Sequence, residues 1–475
     1  MPAIKLEPSV KQGLFQRVTS VFEVINLLPD ELSDEEVEGL TLLLPCDVVN
    51  TLNALFVPRA RRASISFGKM LGRWLEEARR AKEEGRKVIL VPFNFIPELV
   101  HAFGGAFPLT SEILTTLGVA LLEGQGERYW DYAMGLGIPD HICSSSTIEL
   151  GSMLAGEDFK ADAIISSGPG GCDANAKIHE FVAHYLGIPQ FILEKPVDDS
   201  PRGKEQYRRY VYRLVEELEE FIGEKLDEDR LRSVIENCNR ATELYLELWE
   251  MRKNIPCPVP NLFSFFSYGC RFTMWGRPEA VDCLQAMVDV SRERLEAGAY
   301  PADKEIARCG WLYTGYYFDF IGLHNWMEER GYSYLCDMLN LCFPQPISTE
   351  SKESMLDGLA LAAANMPMTH QMGGDSMSLS WLDDAIYIVK DLNANCAIFS
   401  GHHACKQSWS VVSIIRSELM KQAGVPVLCL QGDSWSRTIT PMSVIQRELD
   451  QFVKNVVTKK KKRVRPRKGR AREEG

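Results

Sequence analysis

ADAIISSGPGGCD (residues 161–173) and ANCAIFSGHHACK (residues 394–406) follow one pattern, and that pattern decides the fold. Each runs alanine, a polar residue, four strand-forming residues, a small or polar turn, and a cysteine eleven positions after the first alanine. An apparent helix follows each cysteine, and the two helices run into LGIPQFILE (186–194) and AGVPVLCLQ (423–431), both reading Gly, a branched residue, Pro, strand. The distance from cysteine to glycine is fifteen residues in one copy and nineteen in the other, so the repeat is approximate. Further short apolar runs surround the two copies: KVILVPF (87–93), HIC (141–143), EIARCGWLYTG (305–315) and YSYLCDML (332–339). Strands alternating with helical stretches imply parallel sheets covered on both faces. The expected fold is therefore α/β, with two flavodoxin-like or Rossmann-like parallel-sheet modules.

Between and before these modules the period changes from two to 3.6. In FGKMLGRWLEEARRAKEEG (67–85), Leu71, Trp74, Leu75 and Ala78 share a helix face and Gly85 ends it. Tyr207, Tyr210, Val211, Leu214, Leu218, Phe221 and Ile222 mark a second amphipathic helix, and Leu231, Ile235, Cys238, Tyr245 and Trp249 a third. The expected organisation is a helical leader (1–85), a first α/β module (86–200), connecting helices (201–300), a second α/β module (301–458) and a basic disordered tail (459–475).

The 475 residues exceed what one core accommodates. No uninterrupted apolar run reaches the roughly eighteen residues of a membrane helix, and MPAIKLEPSVKQGLFQRVTS has no signal-peptide core, which together point to the cytoplasm. The thirteen cysteines are odd in number and form no CxxC pair, which excludes a disulfide framework and a zinc-ribbon or thioredoxin pattern. Charge is segregated: residues 1–458 hold 43 basic against 63 acidic groups, whereas ten of the fourteen residues 459–472 are Lys or Arg. Such a tail is either a solvated block or a contact for an acidic partner, nucleic acid or an anionic membrane.

In doubly wound sheets the ligand crevice lies at the carboxyl ends of the strands, where the repeat puts Cys172 and Cys405, each ahead of a helix. Cys143, in DHICSSS, ends another short apolar run in the same way. A helix N-terminus favours thiolate over thiol, so these cysteines suit a nucleophile or a soft-metal ligand. Two equivalent cysteines facing one crevice, with a third nearby, could hold an iron–sulfur cluster whose fourth iron is open; three small buried residues is the reading that asks for no ligand.

FIPELVHAFGG (95–105), ICSSS (142–146), ADAIISSGPGGCD, HHACKQSWSVVSIIRSELMKQAGVPVLCLQGDS (402–434) and PMSVIQRELDQFV (441–453) occur in the order found in the 2-hydroxyacyl-CoA dehydratase and benzoyl-CoA reductase family. The chain resembles that family over most of residues 86–455. The resemblance implies an oxygen-sensitive subunit holding a [4Fe-4S] cluster through Cys143, Cys172 and Cys405. It further implies a homologous second subunit or a self-dimer, and an ATP-dependent iron–sulfur activator protein. That activator supplies one low-potential electron, so that an acyl-CoA thioester passes through a ketyl radical and loses its neighbouring hydroxyl as water.

A proton acceptor is needed, and Glu98 matches the family's Pro-Glu-Leu segment, with His101 one helical turn away. Arg61 and Arg62 in PRARRASISFGK, and Lys406 beside the third cysteine, are candidate contacts for substrate phosphates. His402 and His403 are placed to tune a cluster through hydrogen bonds. The aromatic runs NLFSFFSYGCRFTMW (261–275) and WLYTGYYFDFIGLHNW (311–326) suit either a core or the wall of an apolar pocket. The surplus cysteines, among them Cys309, Cys336 and Cys342, keep a double-cubane [8Fe-9S] reductase of the same superfamily open. A benzoyl-CoA reductase-type subunit and a non-catalytic electron-relay or scaffold subunit stay open beside it.

Overall fold

The computed structural model describes residues 13–42, 46–122, 124–155, 160–168, 172–195, 198, 200–300, 304–341, 345–371 and 377–459. Cys342 and the basic run from Lys460 onward lie outside the described residues.

Among the described residues, eight strands form two four-stranded parallel sheets. The first contains β1 (Lys87–Val91), β2 (Ala106–Thr110), β3 (Ala163–Gly168) and β4 (Gln190–Glu194), in the order β2-β1-β3-β4. The second contains β5 (Ala307–Trp311), β6 (Tyr332–Asp337), β7 (Cys396–His402) and β8 (Val427–Gly432), in the order β6-β5-β7-β8. The orders are equivalent, so β3 matches β7 and β4 matches β8, as the sequence repeat requires. The central strands β3 and β7 are buried along their whole length, which is why they read as continuous apolar or small-residue runs. In each sheet the order reverses between the first and third strands, and that switch point opens the crevice at their carboxyl ends.

Two local expectations are corrected. β2 is absent from the strand candidates, which pass from KVILVPF (87–93) to HIC (141–143). The strand tolerates Pro108 because β2 lies at the edge of its sheet. Conversely, HIC (141–143) is a turn and not a strand. Pro139 and Asp140 break the chain immediately before it, and Cys143 serves as the N-cap of the helix Ser144–Leu154.

The leader's helix Arg61–Glu83 buries Leu71, Trp74, Leu75 and Ala78 and packs on the helices Leu14–Asn26, Phe263–Thr273 and Pro278–Ala297. The helices Pro201–Ile222 and Glu228–Arg252 fall where the amphipathic pattern put them. No described helix is long and apolar enough to cross a membrane.

Candidate functional site

Three helix starts meet between the two sheets. Cys143 is the N-cap of Ser144–Leu154, Cys172 of Asp173–Leu186, and Cys405 of Lys406–Gln422. All three thiols line one pocket of about 650 Å³, counted with its open mouth. The pocket sits at both switch points: Phe93 follows β1, Cys172 follows β3, Tyr313 and Thr314 follow β5, and Ala404 and Cys405 follow β7. The turn that delivers Cys405 depends on Gly401, where a Cβ would lie 2.6 Å from Leu430 O and collide with the Trp409 ring.

Hydrogen-bonding groups reach the sulfurs of Cys405 and Cys143. The Tyr313 hydroxyl donates to Cys405 Sγ at 3.1 Å. Burial first, then the neighbouring Cys405, Cys143 and Cys172, raise the Tyr313 pKa well above the usual phenol range, so it stays a donor. His402 Nε2 lies 3.3 Å from Cys143 Sγ. Its Nδ1 accepts from Ser434 N at 3.2 Å and lies 3.2 Å from Asp433 Oδ2. Burial opposes charge on this imidazole, but Asp433 and Cys143 outweigh it and raise the pKa well above its ordinary value. Asp433 in turn accepts from Ser144 Oγ at 2.6 Å and from the amides of Trp435 and Ser436 at 2.9 Å.

The structure leaves the other candidates off the pocket wall. Glu98 is buried in an ion pair with Arg271, whose Nη1 lies 3.0 and 3.1 Å from its two oxygens. His101 is buried with Nε2 2.8 Å from Thr273 O, and burial, with Arg277 and Arg230, lowers its pKa to about 3. Arg61 binds Asp34 and the carbonyls of Leu32 and Phe56, while Arg62 pairs with Glu293 at 2.9 Å. Lys406 and His403 are exposed. None of these six residues is among those lining the pocket. Cys309 is buried in β5 with its sulfur 3.5 Å from Cys396, and Cys336 in β6 donates to Asp337 O at 3.1 Å, both away from the pocket.

The carboxylate that does line the pocket is Glu112, in the first turn of the helix Ser111–Leu121. It follows the unanticipated β2, and an acid at a helix start reads locally as dipole compensation, so no sequence signal set it apart. Aromatic and apolar side chains of Phe93, Tyr268, Leu339 and Trp435 complete the wall, so both aromatic runs contribute to pocket as well as core. Ser145 Oγ, also at the wall, is buried without a hydrogen-bond partner among the described residues.

The donor set fits an iron–sulfur cluster. Three soft thiols, free of disulfides, converge on one space, each at the positive end of a helix, with hydrogen-bonding neighbours at Cys143 and Cys405.

Residues 93–455 match the family model described as 2-hydroxyglutaryl-CoA dehydratase, D-component. Among curated proteins, the chain is 22% identical over 240 residues to the (R)-phenyllactyl-CoA dehydratase alpha subunit of Clostridium sporogenes, covering 46% of this chain and 56% of that protein. It is 23% identical over 239 residues to a benzoyl-CoA reductase subunit of Thauera aromatica, covering 47% and 54%. It is 24% identical over 136 residues to the alpha subunit of (R)-2-hydroxyglutaryl-CoA dehydratase of Acidaminococcus fermentans, covering 28% of each chain. The matches span about half the length of the first two relatives and about a quarter of the third.

Proposed function

Because this chain belongs to the 2-hydroxyglutaryl-CoA dehydratase D-component family, we propose that it is the iron–sulfur subunit of a 2-hydroxyacyl-CoA dehydratase. The observation that carries the proposal is the convergence of Cys143, Cys172 and Cys405, from both α/β halves, on one pocket. These three residues would hold a [4Fe-4S] cluster. Such a cluster supplies single electrons at low potential and leaves one iron without a protein ligand. With Cys309 and Cys336 in the sheet core, the single cubane is the better reading than an [8Fe-9S] double cubane.

The chain's own residues divide the remaining work. Phe93, Tyr268, Leu339 and Trp435 would exclude water and seat the acyl group. Ser145 Oγ, without a hydrogen-bond partner among the described residues, would donate to a substrate oxygen. Glu112 would accept the proton that the elimination releases, a role its place in the pocket supports better than it does for Glu98 or His101. Lys406, exposed at the pocket's helix terminus, is the cation best placed for a CoA phosphate. A homologous second subunit, or a second copy, and an ATP-driven electron donor complete the proposed system, in keeping with relatives that are each named as a subunit. Aromatic walls and the Thauera relative favour benzoyl-CoA reduction as the second reading.

The test is iron and sulfide content with EPR on anaerobically purified protein, wild type beside Cys405→Ala. About four irons per chain, lost in the variant, support the cubane, whereas about eight would support a double cubane. A folded chain that stays iron-free after reconstitution overturns the proposal. Turnover of a 2-hydroxyacyl-CoA against benzoyl-CoA then separates the two readings, and failure to bind any CoA ester leaves only an electron-relay role.

A further inference from the structure

Behind the cysteine pocket Glu112 meets two charged residues that have no role assigned above. Glu112, Glu149 on the helix Ser144–Leu154 and His179 on Asp173–Leu186 are all buried, with one ligating atom from each lying within 4.8 Å of the others. Of the three, only Glu112 lines the pocket. Its Oε2 accepts from Phe93 N at 3.1 Å and Ser111 Oγ at 3.3 Å, and its Oε1 from the Asn175 amide. The same amide nitrogen lies 3.2 Å from His179 Nε2, which stands 3.5 Å from Glu149 Oε1. Neither Glu149 oxygen accepts a hydrogen bond among the described residues.

A buried carboxylate without donors is costly unless a positive charge or a proton accompanies it. Two buried carboxylates and one imidazole cannot all be ionised and balanced, since the sum is one negative charge. A bridging metal ion would restore balance, but the Asn175 amide already occupies the approach between Glu112 and His179. Protons are the remaining currency.

We propose that Glu149 and His179 are positioning residues that form a charge-balancing dyad behind Glu112, so that Glu112 takes up and returns one proton while the buried cluster alternates between a single negative charge and neutrality. The proposal rests on the reading of Glu112 as the pocket's proton acceptor. The proton balance is closed: Glu112 bears the incoming proton on a carboxylate oxygen and returns it, and no other bond changes. The electrostatics agree. Burial, then Glu149, push the Glu112 pKa up to about 7 while His179 opposes them. Burial disfavours charge on His179, but Glu149 and Glu112 outweigh it and raise its pKa. From the helix Phe263–Thr273 the facing titratable group is Tyr268, kept protonated chiefly by burial; Ser111 and Asn175 carry no charge.

The experiment is an infrared pH titration of the protonated-carboxyl band in the full chain. In wild type a buried carboxyl titrates near neutrality, and Glu112→Gln abolishes that band. Glu149→Gln removes the like charge and leaves His179 to pair with Glu112 alone, so the midpoint falls by about one unit or more, tenfold in proton affinity. His179→Gln leaves two facing carboxylates without a cation, so the midpoint rises by a similar amount. A purely structural role for the dyad moves neither midpoint. The proposal is overturned if no buried carboxyl titrates between about pH 5 and 9, if both variants keep the wild-type midpoint, or if one equivalent of non-cluster divalent metal co-purifies and is lost in Glu149→Gln. The titration needs neither substrate nor turnover, so its failure is distinguishable from failure of the dehydratase reading, which iron content and activity decide.

Discussion

Cys143 Sγ lies 3.3 Å from His402 Nε2, across the junction of the two α/β halves. The contact is backed by a chain of buried polar groups: His402 on Asp433, and Asp433 on Ser144, the residue next to Cys143. The loop carrying one proposed cluster ligand is thus fastened to the opposite sheet by a group that also sets the charge next to its sulfur.

Asp433→Ala should therefore loosen the cysteine loop from a distance. Removing one partner of a buried charged pair costs about 3–5 kcal/mol, because the partner left behind is buried and uncompensated. Hydrogen exchange should rise together at residues 143–150 and 433–437, while the helix Glu228–Arg252 keeps its protection. Unchanged exchange at the Cys143 loop would show that Asp433 is not its anchor.

What the sequence made legible followed from short-range regularity. Cys172 and Cys405 could be paired because the repeat preserved their spacing from the preceding strand, and a strand buried on both faces leaves a continuous apolar trace. β2 escaped because Pro108 contradicts local strand propensity and only edge position excuses it. Cys143 was recognised by its setting but misplaced on a strand, since three apolar-looking residues cannot distinguish a strand from a turn before a helix. Glu112, Tyr313 and the His402–Asp433 pair acquire meaning only when residues hundreds of positions apart meet, and nothing in their neighbours announces it. The same limit hides the ion pair of Glu98, whose partner Arg271 is 173 positions away.

Tyr313→Phe should lower the midpoint potential of a cluster bound at the site. The hydroxyl donates to Cys405 Sγ at 3.1 Å, and such a bond stabilises the more negative, reduced state more than the oxidised one. A differential of about 1 kcal/mol corresponds to roughly 40 mV for a one-electron couple. An EPR-monitored redox titration reads the shift directly. A rise in potential, or none, would exclude the bond as a tuning element.

Glu98→Ala should damage stability before it damages cluster binding. Arg271 and Glu98 are both buried, and deleting the carboxylate leaves the guanidinium without its charge partner, at a cost of about 3–5 kcal/mol. Urea unfolding should show that loss while iron content per folded chain remains at the wild-type level. Full stability combined with abolished turnover would instead return Glu98 to the chemistry.

His101 makes the chain acid-sensitive in a defined window. Its folded-state pKa is lowered to about 3 by burial and by Arg277 and Arg230, against an ordinary value of about 6.5. Between those two values the unfolded chain binds the proton and the folded chain does not, so the stability His101 contributes is intact above about pH 6.5 and drains away as pH falls toward 3. The slope for one such group approaches about 1.4 kcal/mol per pH unit within the window. His101→Gln retains a donor for the Thr273 carbonyl, whose bond to Nε2 is 2.8 Å, but has no titrating group. The variant should be less stable than wild type at pH 7, where the imidazole fits best, and should lose less on moving to pH 5, so the two unfolding curves converge as the pH is lowered. Parallel loss in both proteins would mean that His101 is already charged in the fold, which the apolar surroundings and two neighbouring arginines argue against.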